Sequence, residues 1–309
     1  MIQEELVSDL DVVDFLELFN STVESSLMLG ISQSSCSRRY RAFSERYDIG
    51  FDRIGDRYQA THNLDVLANF RQASQKLRIR QGNSRCCMGW QLGGIGLEEL
   101  NKSVIMLKLR PMNVWHQLSL LEQRLVDVAV MGLMELQSML GQSLDRLRAK
   151  RVPLSPTMWC VPIGTFDLQL VAHQDHPLHG RQDLSQDDLC QYPSPALPMG
   201  MAPMLMRDLQ NHGLASQPCG LVDYDETAWE GFASDGVGLS YAAPHRLPAL
   251  SNTYQLRPLH YSLGVKECLA IVGHRDVIGD SLFPTTFNSM VKGLQQEING
   301  SGHGVQWLL

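Results

Sequence analysis

A chain of 309 residues, 44% of them hydrophobic, carries enough apolar side chain for a full core and falls in the size range of two or three domains. Its net charge of -7 excludes a protein coated in positive charge, so any contact with nucleic acid has to be local. The opening MIQEELVSDLD lacks a basic-then-apolar export signal, and no apolar run approaches the roughly 18 residues of a membrane span; the expected location is cytoplasmic.

In chain order, Leu6, Leu10, Val13 and Leu16 recur at helical spacing, with Phe15 and Phe19 widening the stripe, and predict a first helix over 5–19. Ser21-Thr22-Val23-Glu24 has the form of a capping box, so a short second helix starts at Thr22. Gly30 ends it in the left-handed conformation, and Ser32 caps a third helix two residues later. On that third helix Cys36, Tyr40, Phe43 and Tyr47 share one face, and Ser34, Arg38 and Arg41 the opposite one.

A charged helix face is most often a solvated one. Here the last two of three short helices are joined by a tight glycine turn, which is the form of a helix-turn-helix whose second helix enters the major groove. The residues placed to meet DNA are Ser32, Gln33, Ser34, Ser37, Arg38 and Arg41, with Arg38 able to fork onto a guanine edge. DIGFDRIGDRYQAT (48–61) has the alternation and central glycine of a hairpin. As a wing it would set Arg53 and Arg57 against phosphates; a plain solvent hairpin with Asp–Arg pairs explains Arg57 nearly as well.

These residues resemble the DNA-binding domain of the LysR-type transcriptional regulators. The family's run of a small pair followed by Leu-Gly-Val-Ser-Gln-Ser-x-x-Ser is matched by Ser25-Ser26 and then Leu29-Gly30-Ile31-Ser32-Gln33-Ser34-Ser35-Cys36-Ser37. Phe51-Asp52-Arg53 matches its entry into the wing, and Ala60-Thr61 its closing Leu-Thr. Ser25 and Ser26 stand where the family packs two alanines.

Residues 62–82 read as a polar helix carrying Leu64, Leu67, Phe70 and Leu77, in the place of the family's dimerising linker helix. From Cys86 onward strands and helices alternate: CCMGW, a helix near 94–102, SVIMLKL (103–109), a helix near 113–124 and VDVAVMG (126–132). FDLQLVAHQDHPL and GVGLSYAAPHRL resemble further family segments, so the likeness covers nearly the whole chain. ELQSMLGQSLDRLRAK (135–150) has the look of an added helix.

The fold class this implies is α/β with an all-α N-terminal part. A winged helix-turn-helix DNA-binding domain spans 1–61, a linker or dimerisation helix 62–84, and a two-lobed periplasmic-binding-protein-like effector domain 85–309. Lobe I takes about 85–162 and 266–309, lobe II about 163–265, with two crossover strands as hinge. The implied function is a ligand-responsive transcriptional regulator, not an enzyme. Its partners are double-stranded promoter DNA, most simply an inverted repeat, a small effector, and a second copy of itself as dimer or tetramer, without a membrane.

Effector contacts are expected from Gln91, Leu92, Gly93, Gly94, Gly132, Met199 and Gly236. Bare amides at Gly93-Gly94 can hold an anionic oxygen, which points to a small organic acid, although packing explains two glycines at least as well. The Met-rich MGMAPMLM (199–206) suits an adaptable pocket wall, or simply a core helix.

No catalytic set, cofactor or metal is expected. His173, His176 and His179 follow a strand and a proline turn that scatter their directions. The seven cysteines, Cys36, Cys86, Cys87, Cys160, Cys190, Cys219 and Cys268, form no CxxC pair. GxxxxGK[ST], GxSxG and HExxH motifs do not occur. A solute-binding protein or an α/β enzyme on the same two-lobed fold remains the alternative.

Overall fold

The computed structural model describes residues 2–55, 57–89, 92, 100, 104–109, 113–136, 152–218, 226–301 and 304–309. Three helices open the chain: α1 (Ile2–Phe19), α2 (Thr22–Leu29) and α3 (Gln33–Tyr47). Ser21 caps α2 by accepting the Glu24 amide at 3.3 Å, and Ser32 caps α3 by accepting the Ser35 amide at 3.1 Å. Gly30 closes α2 at φ 65°, a conformation that costs glycine nothing. Buried Ser25 is accommodated because its hydroxyl donates to the Phe15 carbonyl at 3.0 Å.

Strands β1 (Phe51–Ile54) and β2 (Arg57–Ala60) form the wing, an antiparallel hairpin turning at Gly55. Helix α4 (Leu64–Gln81) follows and ends at Gly82 in the left-handed region.

The α/β part is built on one sheet in which β10–β7–β11–β5–β3–β4 lie side by side. Its strands are β3 (Arg85–Met88), β4 (Ile105–Met106), β5 (Val128–Gly132), β6 (Val152–Ser155), β7 (Met158–His173), β10 (Leu239–Ala242), β11 (Leu256–His274) and β12 (Gln306–Trp307), with helix α5 (Val114–Glu122) before β5. Short β8 (Pro195–Ala196) and β9 (Gln217–Pro218) pair separately. The long antiparallel pair β7 and β11 runs through the whole domain. One end packs beside β5 and the other beside β10, and the pairing register shifts between Pro258 and Lys266.

These two strands are the crossovers, and apolar clusters flank them at each end. One gathers Cys86, Val128, Ile163, Ile271 and Leu294; the other gathers Leu170, Leu205, Leu209, Trp229 and Tyr241. Among the described residues of the expected SVIMLKL strand, only Ile105–Met106 pairs, along two residues of β3. The helix expected near 94–102, apart from Leu100, and all of the added helix beyond Leu136 lie outside the described residues.

Candidate functional site

Two places gather the functional side chains: the outer face of α3 with the wing, and the cleft beside the crossover strands. On α3, Cys36 and Phe43 are buried and Tyr40 and Tyr47 pack on the same core with Leu10, Val13, Ile49 and Leu67. The opposite face is open. Ser32, Gln33, Ser34, Arg38 and Arg41 are exposed, and Ser37 is half-buried. Arg38 donates to the Ser35 hydroxyl at 3.2 Å, and Gln33 to the Thr22 hydroxyl at 2.9 Å. Arg39, one step round the helix, is tied back to Asp9 of α1 at 2.6 Å, which fixes the rotation of α3.

The two wing arginines part company. In the hairpin register Arg53 pairs with Tyr58 and Ile54 with Arg57, so alternation puts Arg53 and Arg57 on opposite faces. Arg53 lies over the Tyr58 ring. Arg57 lines a recess of 330 Å³ together with Tyr58, Asn113, Trp115 and His116, between the wing and α5. Burial, with Arg57 adding to it, pushes the His116 imidazole down to about 4.

The N-terminal unit is joined to the α/β part through α1. Phe15, Leu18 and Phe19 pack in one cluster with Val114, Leu118, Leu121 and Leu125. Beside them runs a buried ionic ladder. Arg71 meets Asp14 at 2.8 Å and Glu17 at 3.0 Å, Arg85 meets Asp14 at 2.7 Å and also Asp11, and Arg78 meets Asp127 at 2.7 Å. Burial by itself would raise the Asp14 carboxyl, but the guanidiniums of Arg71 and Arg85 outweigh it and hold it low. No local motif marks the ladder in the sequence. Its one signal there is spacing: Arg71, Arg78 and Arg85 are seven apart, and Asp11, Asp14 and Glu17 three apart.

The cleft retains a cavity of about 40 Å³ lined by Met134, Glu135, Phe166, Leu168, Trp229, Tyr241 and Glu267, among others. Glu267 is buried on β11 and accepts the Met134 and Cys268 amides, both at 2.9 Å. Burial pushes its carboxyl up to about 7. Glu230, also at the cavity, is held by Arg246 at 2.5 Å.

Gly132, expected to touch the effector, has a different part. A Cβ there would collide with the Glu267 carboxylate, so the glycine makes room for that group. Leu92 is buried in the cluster that also holds Ile79, Cys86 and Leu100, and it does not line the cavity. Met199, expected to edge the cleft, is fully exposed, because the chain turns at Gly200 in the left-handed region and points it outward. Leu205, six residues on, lines the cavity instead. Gly236 ends the turn Phe232–Asp235, where Asp235 accepts the Val237 and Gly238 amides, and it does not line the cavity. Gln91, Gly93 and Gly94 lie outside the described residues.

The three histidines go separate ways. His176 accepts the Leu178 amide on Nδ1 and turns Nε2 to the Val237 carbonyl, His179 faces the Ala172 carbonyl, and His173 accepts the Asp175 amide.

No family model matches the sequence, and no curated protein matches it. Solved structures do match over almost the full chain. Full-length OxyR from Pseudomonas aeruginosa, a cysteine variant, is similar with a TM-score of 0.57 at 9% identity, covering 96% of this chain and 97% of that one. A probable transcriptional regulator from the same organism gives 0.53 at 16% identity, with coverage of 92% and 95%. ArgP from Mycobacterium tuberculosis gives 0.52 at 13% identity, with 92% and 96%. This chain shares their fold. The likeness spans the N-terminal helices, the wing and the two-lobed α/β part together, and at these identities it carries the architecture and not the residues of a site.

Proposed function

We propose that the chain is a divergent LysR-type, ligand-responsive DNA-binding transcriptional regulator. The observation that carries this reading is the exposed Ser34, Arg38 and Arg41 face of α3, the second helix of a capped helix-turn-helix whose apolar face is fully packed. Ser32, Gln33 and Ser37 at the helix start reach phosphates or base edges, and Arg53 on the wing clamps a phosphate. Arg57 belongs with the recess on α5 rather than with the DNA set.

The working division is a DNA-binding unit over 1–61, a linker over 62–84 and an effector unit over 85–309. Self-association through α4 has to use its outer face, where Leu64, Ala68, Asn69, Ala73, Lys76 and Arg80 are exposed, because Leu67 is buried within the chain's own core. No helix among the described residues is long and apolar enough to cross a membrane.

The effector belongs in the cleft between the lobes. An organic acid there meets carboxylates from Glu135, Glu230 and Glu267 among the described lining residues, with the Arg246 guanidinium already bound to Glu230. An anionic group therefore needs Glu135 to move aside.

The deciding experiment is selection of bound sequences from random duplex DNA by the full chain, followed by retardation of the selected site. The expected result is enrichment of a two-fold symmetric sequence, and loss of its retardation in the Arg38→Ala, Arg41→Ala variant. A chain that enriches no sequence is not a specific DNA-binding regulator.

A further inference from the structure

β5 ends at Gly132, and the chain turns at once into a 3-10 turn, Met134–Leu136. That turn is gripped by the crossover strand β11: the Leu133 amide donates to the Cys268 carbonyl at 2.8 Å and the Met134 amide to Glu267 at 2.9 Å. From this fixed base Glu135 reaches across the cleft. One of its carboxylate oxygens accepts the Met204 amide and the other the Leu205 amide, each at 3.0 Å.

Those two amides open the nine-residue helix Pro203–Asn211. Pro203 has no N–H to offer, so they are the first donors the helix presents, and the N-cap residue is Ala202, which has no side-chain oxygen to satisfy them. A helix of this kind lacks its own acceptor. Glu135 supplies one from about seventy residues earlier in the chain, with both oxygens engaged and with a charge that the helix dipole favours.

A second bridge lies beside it, where the Asn113 amide group donates to the Gly200 carbonyl at 3.4 Å. The space left is about 40 Å³, room for a few water molecules and too little for an organic effector. Gly132 and Glu267 belong to the same assembly, since the missing side chain at 132 admits the carboxyl that holds the Met134 amide.

We propose that Glu135 is a tethered ligand: its carboxylate fills a carboxylate-binding site at the head of helix Pro203–Asn211 and thereby holds the cleft closed. The ligand class of that site is a small carboxylate. The assignment stands whether or not the chain binds DNA, because it concerns the closed state of the protein alone.

The test is hydrogen–deuterium exchange of the full chain, followed in peptides covering 200–211. Parent, Glu135→Ala and Glu135→Gln proteins are compared in sodium chloride and in sodium acetate of equal ionic strength, with peptides from α3 and β11 as the control for folding. Glu135→Ala is expected to exchange about tenfold faster than the parent in 200–211, the scale of a lost helix cap. Acetate should restore most of that protection in the Ala variant and leave the parent unchanged.

Glu135→Gln keeps one acceptor without the charge and should fall between the two. It also serves as the reporter where the Ala variant loses its control protection. Unchanged exchange in both variants overturns the latch. Protection lost in chloride and not recovered in acetate overturns the carboxylate site and leaves Glu135 as a helix cap only.

Discussion

Glu267 has a carboxyl that folding drives toward its neutral form. Burial raises it from 4.5 to about 7 even though backbone amides donate to it. The unfolded chain ionises this group near 4.5 while the folded chain keeps the proton until about 7, so folding takes up a proton between those values. Stability should therefore be highest at the acid end of that window, fall as pH rises through it and level off above it. The fall amounts to roughly 3 kcal/mol at about 1.4 kcal/mol per unit. Glu267→Gln retains an acceptor for the Met134 and Cys268 amides and has no proton to lose, so it should flatten this slope and be the more stable protein at pH 8; urea unfolding at pH 5, 6, 7 and 8 checks both. At the proposed DNA face the residues to separate are Arg38 and Arg53. Arg38→Ala should cost about 1–3 kcal/mol on a selected site and little on random duplex, as a base contact does. Arg53→Ala should weaken both DNAs alike and lower the salt slope by about 1. A salt titration of the two variants on both DNAs decides, and equal losses for Arg38→Ala would remove it from the groove.

Individual elements were legible in the sequence where their chemistry is local. Ser21, Gly30, Ser32 and Gly82 act on neighbours within a few residues, and the helices they bound lie where the spacing predicts. The ladder between α1, α4 and β3 was not legible, because each arginine finds its acid some 49 to 74 residues away and a lone sequence shows only a polar helix. The place of Leu67 is hidden for the same reason: an apolar residue on a polar helix reads as a dimer contact, whereas the fold buries it with Leu10, Val13 and Phe43. The centre of the ladder is Asp14, buried between two guanidiniums. Asp14→Ala leaves Glu17 as the remaining acid on Arg71 and Asp11 as the remaining acid on Arg85, and should destabilise the fold by about 3–5 kcal/mol, the usual cost of breaking a buried ionic set on one side. Since those guanidiniums hold the Asp14 carboxyl below its ordinary range, its contribution is present at neutral pH and is lost only as pH falls through that lowered value. Acid unfolding of the parent should accordingly show a transition below pH 4 that the Asp14→Ala protein lacks.

At the scale of the whole molecule, the sequence divides the chain into separable parts more cleanly than the packing does. The motif order reads as a proposed DNA-binding unit ahead of a proposed effector unit, and the two-lobed α/β architecture is present. What no local pattern could show is that α1 is covered on both sides: Leu10 and Val13 face the helix-turn-helix core, while Phe15, Leu18 and Phe19 lie in the cluster with Val114, Leu118 and Leu121. A helix that is apolar around most of its girth has to be enclosed, and here the two halves of the chain do the enclosing. Removing residues 1–84 therefore strips Phe15, Leu18 and the partners of Arg85 from the α/β part and leaves its α5 face bare. The fragment 85–309 is expected to unfold at markedly lower temperature than the full chain, or to aggregate, rather than behave as an autonomous effector domain. The full chain is expected to melt in a single transition, because its two halves share one apolar cluster and one ionic ladder. Calorimetry of both proteins separates the alternatives. A fragment with a melting temperature equal to that of the parent, or a parent that melts in two resolved steps, would show that α1 rests on the α/β part without contributing to its stability, and that the halves are joined only by the chain.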